Sequence, residues 1–167
     1  MTFHKTLKFT HTASDAARQV VRFVASWGVL RVNNKKAVPK VTYTDPEIAS
    51  VGMNYQEACQ RYHNSEVMRL EVPYTEADRA VTDEATEGVV VFTVRRLNGA
   101  VLGATVFGTH AGELISLATL AIDQKISMWK LQQLIYAYPT YGQLIQKLAT
   151  ASWLSNSLIS NKTLCVS

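Results

Sequence analysis

Apolar residues near the start of the chain fall at helical spacing. Ala13, Ala16, Ala17, Val20, Val21, Val24 and Trp27 follow an i, i+3, i+4, i+7 rule, which predicts an amphipathic helix over 12–27. Thr12 and Asp15 have the spacing of a capping box, and Gly28 is a suitable stop. The polar, turn-rich stretch 33–39 reads as a linker.

Beyond it the period changes from helical to alternating. Val41 and Tyr43 alternate with Thr42 and Thr44, which predicts a strand broken by the turn Asp45-Pro46. Ile48 to Met53 resumes an extended path, and Asn54 with Glu57 opens a short helix over 55–62. Met68, Leu70 and Val72 share one face of the next strand, with Arg69 and Glu71 on the other. Residues 74–87 are acidic and irregular, with a helical turn expected at 76–80. Gly88 to Arg96 and Val101 to Gly108 read as strands joined at Asn98-Gly99, a strong signal for a two-residue type I′ turn. Their nearly continuous apolar character predicts a sheet covered on both faces.

Three more helices are expected. The first, at 111–125, turns Leu114, Ile115, Ala118, Ala121 and Ile122 inward. A shorter one covers 128–135, and the last runs over 141–158 with Leu144, Ile145, Leu148, Ala151 and Leu158 inward. The tail from Ser160 is expected to fray. Helices packed on an antiparallel sheet of about four to five strands make this an α+β fold.

Composition narrows the possible functions. With 47% hydrophobic residues in 167, a real core is expected and wholesale disorder is not. The net charge of +4 is thinly spread; Arg31, Lys35, Lys36 and Lys40 form its densest group. That group reads as a solvated loop, not as the basic stripe that nucleic acid would require, so no nucleic-acid partner is expected. No apolar run reaches the roughly 18 residues of a membrane helix, and the first residues lack a signal-peptide pattern. The expectation is a cytoplasmic protein with no membrane partner.

Cys59 lies in a helical pattern and reads as a small buried apolar residue, and Cys165 as a free tail thiol. Neither belongs to a Cys-x-x-Cys motif, and His4, His11, His63 and His110 share no ligand spacing, so no metal site is expected. Asn161-Lys-Thr163 matches a glycosylation pattern that no secretory signal supports.

Two segments carry a resemblance. One is Pro39-Lys-Val-Thr-Tyr-Thr-Asp-Pro-Glu-Ile-Ala-Ser-Val-Gly-Met53. The other runs from Gly103-Ala-Thr-Val-Phe-Gly-Thr-His-Ala-Gly-Glu113 to Tyr138-Pro-Thr-Tyr-Gly-Gln143. Together they resemble the C-terminal dimerisation domain of the FAD-dependent pyridine nucleotide-disulfide oxidoreductases, of mercuric reductase or dihydrolipoamide dehydrogenase type. The resemblance implies residues 1–37 as a remnant of the end of the FAD domain with its linker, 38–160 as the dimerisation domain and 161–167 as a tail. It implies a homodimer. Tyr136, Tyr141 and Trp153 are expected to be exposed until a second copy covers them.

The family's Gly-x-Gly-x-x-Gly loops are not found among the eight glycines, nor is its redox cysteine pair. FAD and NAD(P)H are therefore implied for the parent enzyme and not for this chain, which reads as the inactive tail of a flavoenzyme, a truncation or a stand-alone descendant. In the family, residues matching 7–18 form a helix whose N-terminus faces the flavin, which would assign the amides of Thr10 and His11 to that contact. Without its partner domain the same helix reads as a plain amphipathic helix.

The family motif His-Pro-Thr-x-x-Glu supplies a general acid/base to the other subunit. Here Tyr138 stands for the His and Gln143 for the Glu. A phenol with a pKa of about 10 is a poor base at neutral pH, and a neutral amide cannot stabilise an imidazolium. Thr140 and Gln143 instead have the spacing of a capping box for the last helix. The resemblance also implies a cis Tyr138–Pro139 bond, and gives Glu113 a structural role near the sheet. Two other readings remain: part of a split mercuric-reductase-like enzyme contributing Tyr138 to a partner's active site, or a binder of small ligands.

Overall fold

The computed structural model describes residues 9–30, 36–157 and 164–165. His4, Arg31, Lys35, the linker residues 33–35, Leu158 and the pattern at 161–163 lie outside them. The chain divides into two units, 1–38 and 39–167.

The first unit holds helix α1, Thr10–Ala25. Its start differs from the expected box. Thr12 lies inside the first turn, where its hydroxyl accepts the Phe9 N–H at 3.2 Å and donates to the Phe9 carbonyl at 2.7 Å. Asp15 is free of capping duty and takes Lys36 at 2.7 Å. That bond holds the Asp15 carboxyl below the usual carboxylate range. The stop falls where Gly28 predicts it: Gly28 adopts φ +83° and its N–H returns to the Phe23 carbonyl at 2.9 Å. No residue of α1 is buried, and the whole apolar stripe is exposed.

The second unit is a sheet with strand order β1-β2-β5-β4-β3-β6. The strands are β1 Lys40–Thr42, β2 Ile48–Gly52, β3 Val67–Pro73, β4 Gly88–Arg95, β5 Val101–Gly108 and β6 Leu164–Cys165. The first five pair antiparallel. β6 adds two residues parallel to β3, where a frayed tail was expected.

Helices α2 Tyr55–Arg61, α3 Asp78–Thr82, α4 Ala111–Asp123, α5 Met128–Gln132 and α6 Gln143–Ser157 complete the fold. The start of α2 follows its sequence closely. Asn54 Oδ1 accepts the Glu57 N–H and Glu57 Oε2 accepts the Asn54 N–H, both at 2.9 Å. Among the described residues no helix is long and apolar enough to cross a membrane.

The core lies on one face of the sheet. Ala49, Val51, Leu70, Val72, Val90, Phe92 and Val106 are at most 4% exposed there. α4 packs over β2 and β5, and α6 over β3 and β4. Leu144, Ile145 and Leu148 of α6 are wholly buried, as are Ala149 and Ser152, whereas the expected Ala151 is only half-buried.

Three expectations are corrected here. First, the sheet is not covered on both faces: Val89, Val91, Thr105 and Phe107 point away from the helices and are half-buried, and Ile48 is 44% exposed. The two long helices return to the same side, so the apolar run of β4 is divided between a closed and an open face. Second, the β4–β5 loop is longer than a two-residue turn. Arg95 N–H bonds the Ala100 carbonyl, the Gly99 N–H bonds the Arg95 carbonyl, and of Asn98 and Gly99 only Gly99 has positive φ, +66°. The Asn98 side chain accepts the Ala100 N–H instead, an alternative to the left-handed backbone a type I′ turn needs. Third, Cys59 is part-exposed; Ala58 is the residue of α2 that turns inward.

Candidate functional site

The segment linking α5 to α6 carries the motif residues. Tyr138 is 70% exposed, and its peptide bond to Pro139 is cis. Its hydroxyl donates to Asp78 Oδ2 at 2.8 Å, and this carboxylate pushes the phenol above its ordinary pKa. A phenol so held stays protonated at neutral pH and acts as a donor. Gln143 is occupied elsewhere, its Oε1 accepting the Thr140 N–H at 3.4 Å. The Thr140 hydroxyl donates to the Ala137 carbonyl at 2.8 Å, so only half of the expected capping box forms. Tyr138 and Gln143 therefore bind separate partners and make no coupled pair.

Tyr141 is not the exposed residue the sequence suggested. It is 8% exposed, with its ring 5.6 Å from that of Tyr74 and edge-on to His110 at 5.3 Å. Its hydroxyl donates to Asp83 Oδ2 at 3.1 Å, and Asp83 also takes Arg79 Nε at 2.7 Å. The guanidinium holds the Asp83 carboxyl below its ordinary range; burial, then Asp83, pushes the Tyr141 phenol up. Lys147 meets Glu76 at 2.8 Å. Three polar links, Tyr138–Asp78, Tyr141–Asp83 and Lys147–Glu76, thus fasten the motif segment and the first turns of α6 to the acidic stretch around α3.

Beneath them lies Tyr74, wholly buried. Its hydroxyl donates to the Thr109 carbonyl at 2.9 Å, and burial raises its phenol far above the ordinary value. Gly88 and Gly108 let the ring approach: a Cβ at Gly108 would stand 2.5 Å from it. His110 then turns the chain into α4 with φ +61°. Glu47, from 65 residues earlier, accepts the Gly112 N–H at 2.8 Å and caps α4. Glu113, to which the resemblance gave a structural role, is exposed in the first turn.

Of the other expected interface residues, Tyr136 is half-buried and donates to the Leu131 carbonyl at 3.2 Å, and burial pushes its phenol up to about 12. Trp153 is 47% exposed. Sequence reading missed Leu134 and Ile135, which are 46% and 100% exposed. It also missed Asp78, Asp83, Glu47 and Tyr74. A useful signal would have been the apolar Leu-Ile pair directly after the helix stripe of α5. The carboxylates gave none, because their partners lie about 60 residues away.

Thr10 and His11 are the first two residues of α1, and both are exposed. The His11 ring stacks on Phe9 at 5.1 Å. The first turn holds no acidic side chain, which suits an electron-rich acceptor at the helix N-terminus. This is a fit to one contact of a flavin.

Comparison with known proteins bears on the second unit. Residues 38–149 match the family described as pyridine nucleotide-disulphide oxidoreductase, dimerisation domain. The chain is 34% identical over 110 residues to a dihydrolipoyl dehydrogenase of Buchnera aphidicola, covering 66% of this chain and 23% of that protein. It is 30% identical over 148 residues to the mitochondrial dihydrolipoyl dehydrogenase of Schizosaccharomyces pombe, covering 89% of this chain and 28% of that protein. This chain thus spans about a quarter of the length of the relatives it matches. Among solved structures it is similar to LpdA from Mycobacterium tuberculosis, with a TM-score of 0.76 at 25% identity, covering 88% of this chain and 31% of the other. The flavoprotein disulfide reductase RclA from Escherichia coli shares the fold, with a TM-score of 0.76 at 23% identity over 86% of this chain and 33% of the other.

Proposed function

Because this chain belongs to the dimerisation-domain family of the pyridine nucleotide-disulphide oxidoreductases, we propose that its role is assembly. Residues 38–160 associate with a second copy across a two-fold axis, and 1–37 are the end of a flavin domain. The family match supports this reading, and the observation that carries it is the apolar surface beside it. Leu134 and Ile135, just past α5, and Trp153 on α6 stay 46–100% exposed in the single chain. Scattered exposed apolar residues are ordinary, but two in the segment after α5 and one on α6, helices that pack on each other, fit a surface that a like copy covers.

In the parent enzyme, FAD would carry electrons between a nicotinamide and a disulfide. From this chain it would take the amides of Thr10 and His11. Tyr138 occupies the position of the family base but serves as a hydrogen-bond donor held by Asp78, and Gln143 serves as part of a helix start. The chain alone is then no oxidoreductase.

Sedimentation of Ile135→Asp beside the unaltered chain tests the proposal. A dimer that dissociates in the variant is expected; an unchanged dimer removes this face from the interface. The double change Tyr138→Phe, Gln143→Ala should leave the mass unaltered. Mixing the chain with FAD and NADPH tests the split-enzyme alternative, which needs retained yellow colour or NADPH loss.

A further inference from the structure

At the C-terminal end of α2 the chain forms an open depression of about 660 Å³ between Cys59 and Glu66, closed on one side by Arg95 from the β4 end. Its charge is lopsided. Arg61 and Arg95 line it against one carboxylate, Glu66. Arg61 is exposed and Arg95 part-exposed, yet neither guanidinium is without a neighbour. Both stand over the Tyr62 ring, Arg95 at 5.0 Å and Arg61 at 5.9 Å from its centre. A ring with cations on it holds them in place by its quadrupole and lowers the entropy lost when they grip a ligand.

Arg95 is only partly committed. One Nη donates to Glu66 Oε2 at 3.1 Å, whereas its Nε is buried and has no hydrogen-bond partner. An unmet buried donor on a charged group is costly and draws an acceptor. The floor is stiff as well. The Arg96 N–H bonds the Glu66 carbonyl at 2.7 Å and its Nε bonds the Ser65 carbonyl at 3.2 Å, tying the 64–66 turn to the β4 end.

We propose that this depression binds a small oxyanion of the phosphate class, gripped by the Arg61 and Arg95 guanidiniums. Guanidinium forks match a tetrahedral oxyanion with paired N–H donors, and their charge persists at every physiological pH. The site lies apart from the motif segment and from the proposed interface residues in sequence, and it does not depend on the assembly reading. Glu66 is its built-in competitor, since the anion must share Arg95 with it.

The test is a titration of the full chain with inorganic phosphate, followed by backbone amide NMR at constant ionic strength, with acetate as the second arm. Saturable shifts at 59–66 and 95–96, larger for phosphate than for acetate, are expected. Arg61→Gln, a change at an exposed residue, should weaken phosphate binding at least tenfold while leaving the unfolding midpoint in place. Glu66→Gln should strengthen it several-fold by removing the competitor. Equal response to acetate, shifts spread over Lys125, Lys130 and Lys147, or an unaltered affinity in Arg61→Gln would each overturn the proposal.

Discussion

Helices α1 and α4 look alike as sequences and meet opposite fates. Both are amphipathic helices, of 16 and 13 residues, with apolar positions at i, i+3 and i+4. In α4 that spacing buries Ala111, Leu114, Ile115, Ala118 and Ala121 against the sheet. In α1 it buries nothing: Val21 and Val24 are 65% and 68% exposed, and Trp27, just past the helix, is 96% exposed. The spacing is a property of the sequence, whereas burial needs a facing surface. Most helical stability comes from packing an apolar face, so α4 is held by its unit and α1 rests on local terms. Those terms include the Thr12–Phe9 bonds, the Asp15–Lys36 pair and the Gly28 stop.

The largest expected effect follows directly. Ile115→Ala should cost about 2–5 kcal/mol in urea unfolding, because it empties a packed site. Val24→Ala should change stability by less than about 0.5 kcal/mol. Similar losses at the two positions would mean that α1 is packed on something in solution.

A smaller contrast separates two tyrosines. Tyr74→Phe removes a buried hydroxyl and strands the Thr109 carbonyl, so a loss of about 1 kcal/mol is expected. Tyr138→Phe removes an exposed bond to Asp78 and should cost less than about 0.5 kcal/mol. The same unfolding curves measure both.

The smallest effect is that of pH on the Tyr141–Asp83 contact. Asp83 has its folded pKa lowered, so its contribution is present above its unfolded pKa of about 3.9 and fades as pH falls through the folded value. Tyr141 is raised, so its contribution is present below about pH 10 and fades as pH rises through the folded value. Thermal unfolding in Tyr141→Phe should lose less than the unaltered chain on moving to alkaline pH and change little on the acid side, where Arg79 still holds Asp83. Identical alkaline profiles would show that the phenol is not enclosed in solution.

The alternation of β3, the stripe of α4 and the Asn54–Glu57 box could all be read in the chain because their causes lie within a few residues. The one-sided cover of the sheet could not, since it depends on where α4 and α6 return. Val89 and Val91 look no different in sequence from Val90, yet only Val90 is fully buried. At the motif, the substitution of Tyr138 and Gln143 for an acid/base pair was legible, and so was the cis bond. The partners they bind were not: Asp78 comes from α3, and Thr140 spends its hydroxyl on Ala137. Tyr141 was misplaced for a related reason, because the rings of Tyr74 and His110 that enclose it come from distant segments.

Molar mass by light scattering over a dilution series of the chain tests the central proposal most directly. Twice the chain mass, falling toward the chain mass only at high dilution, is the predicted result. The chain mass at every concentration would contradict it, since the second unit would then lack an association surface of its own.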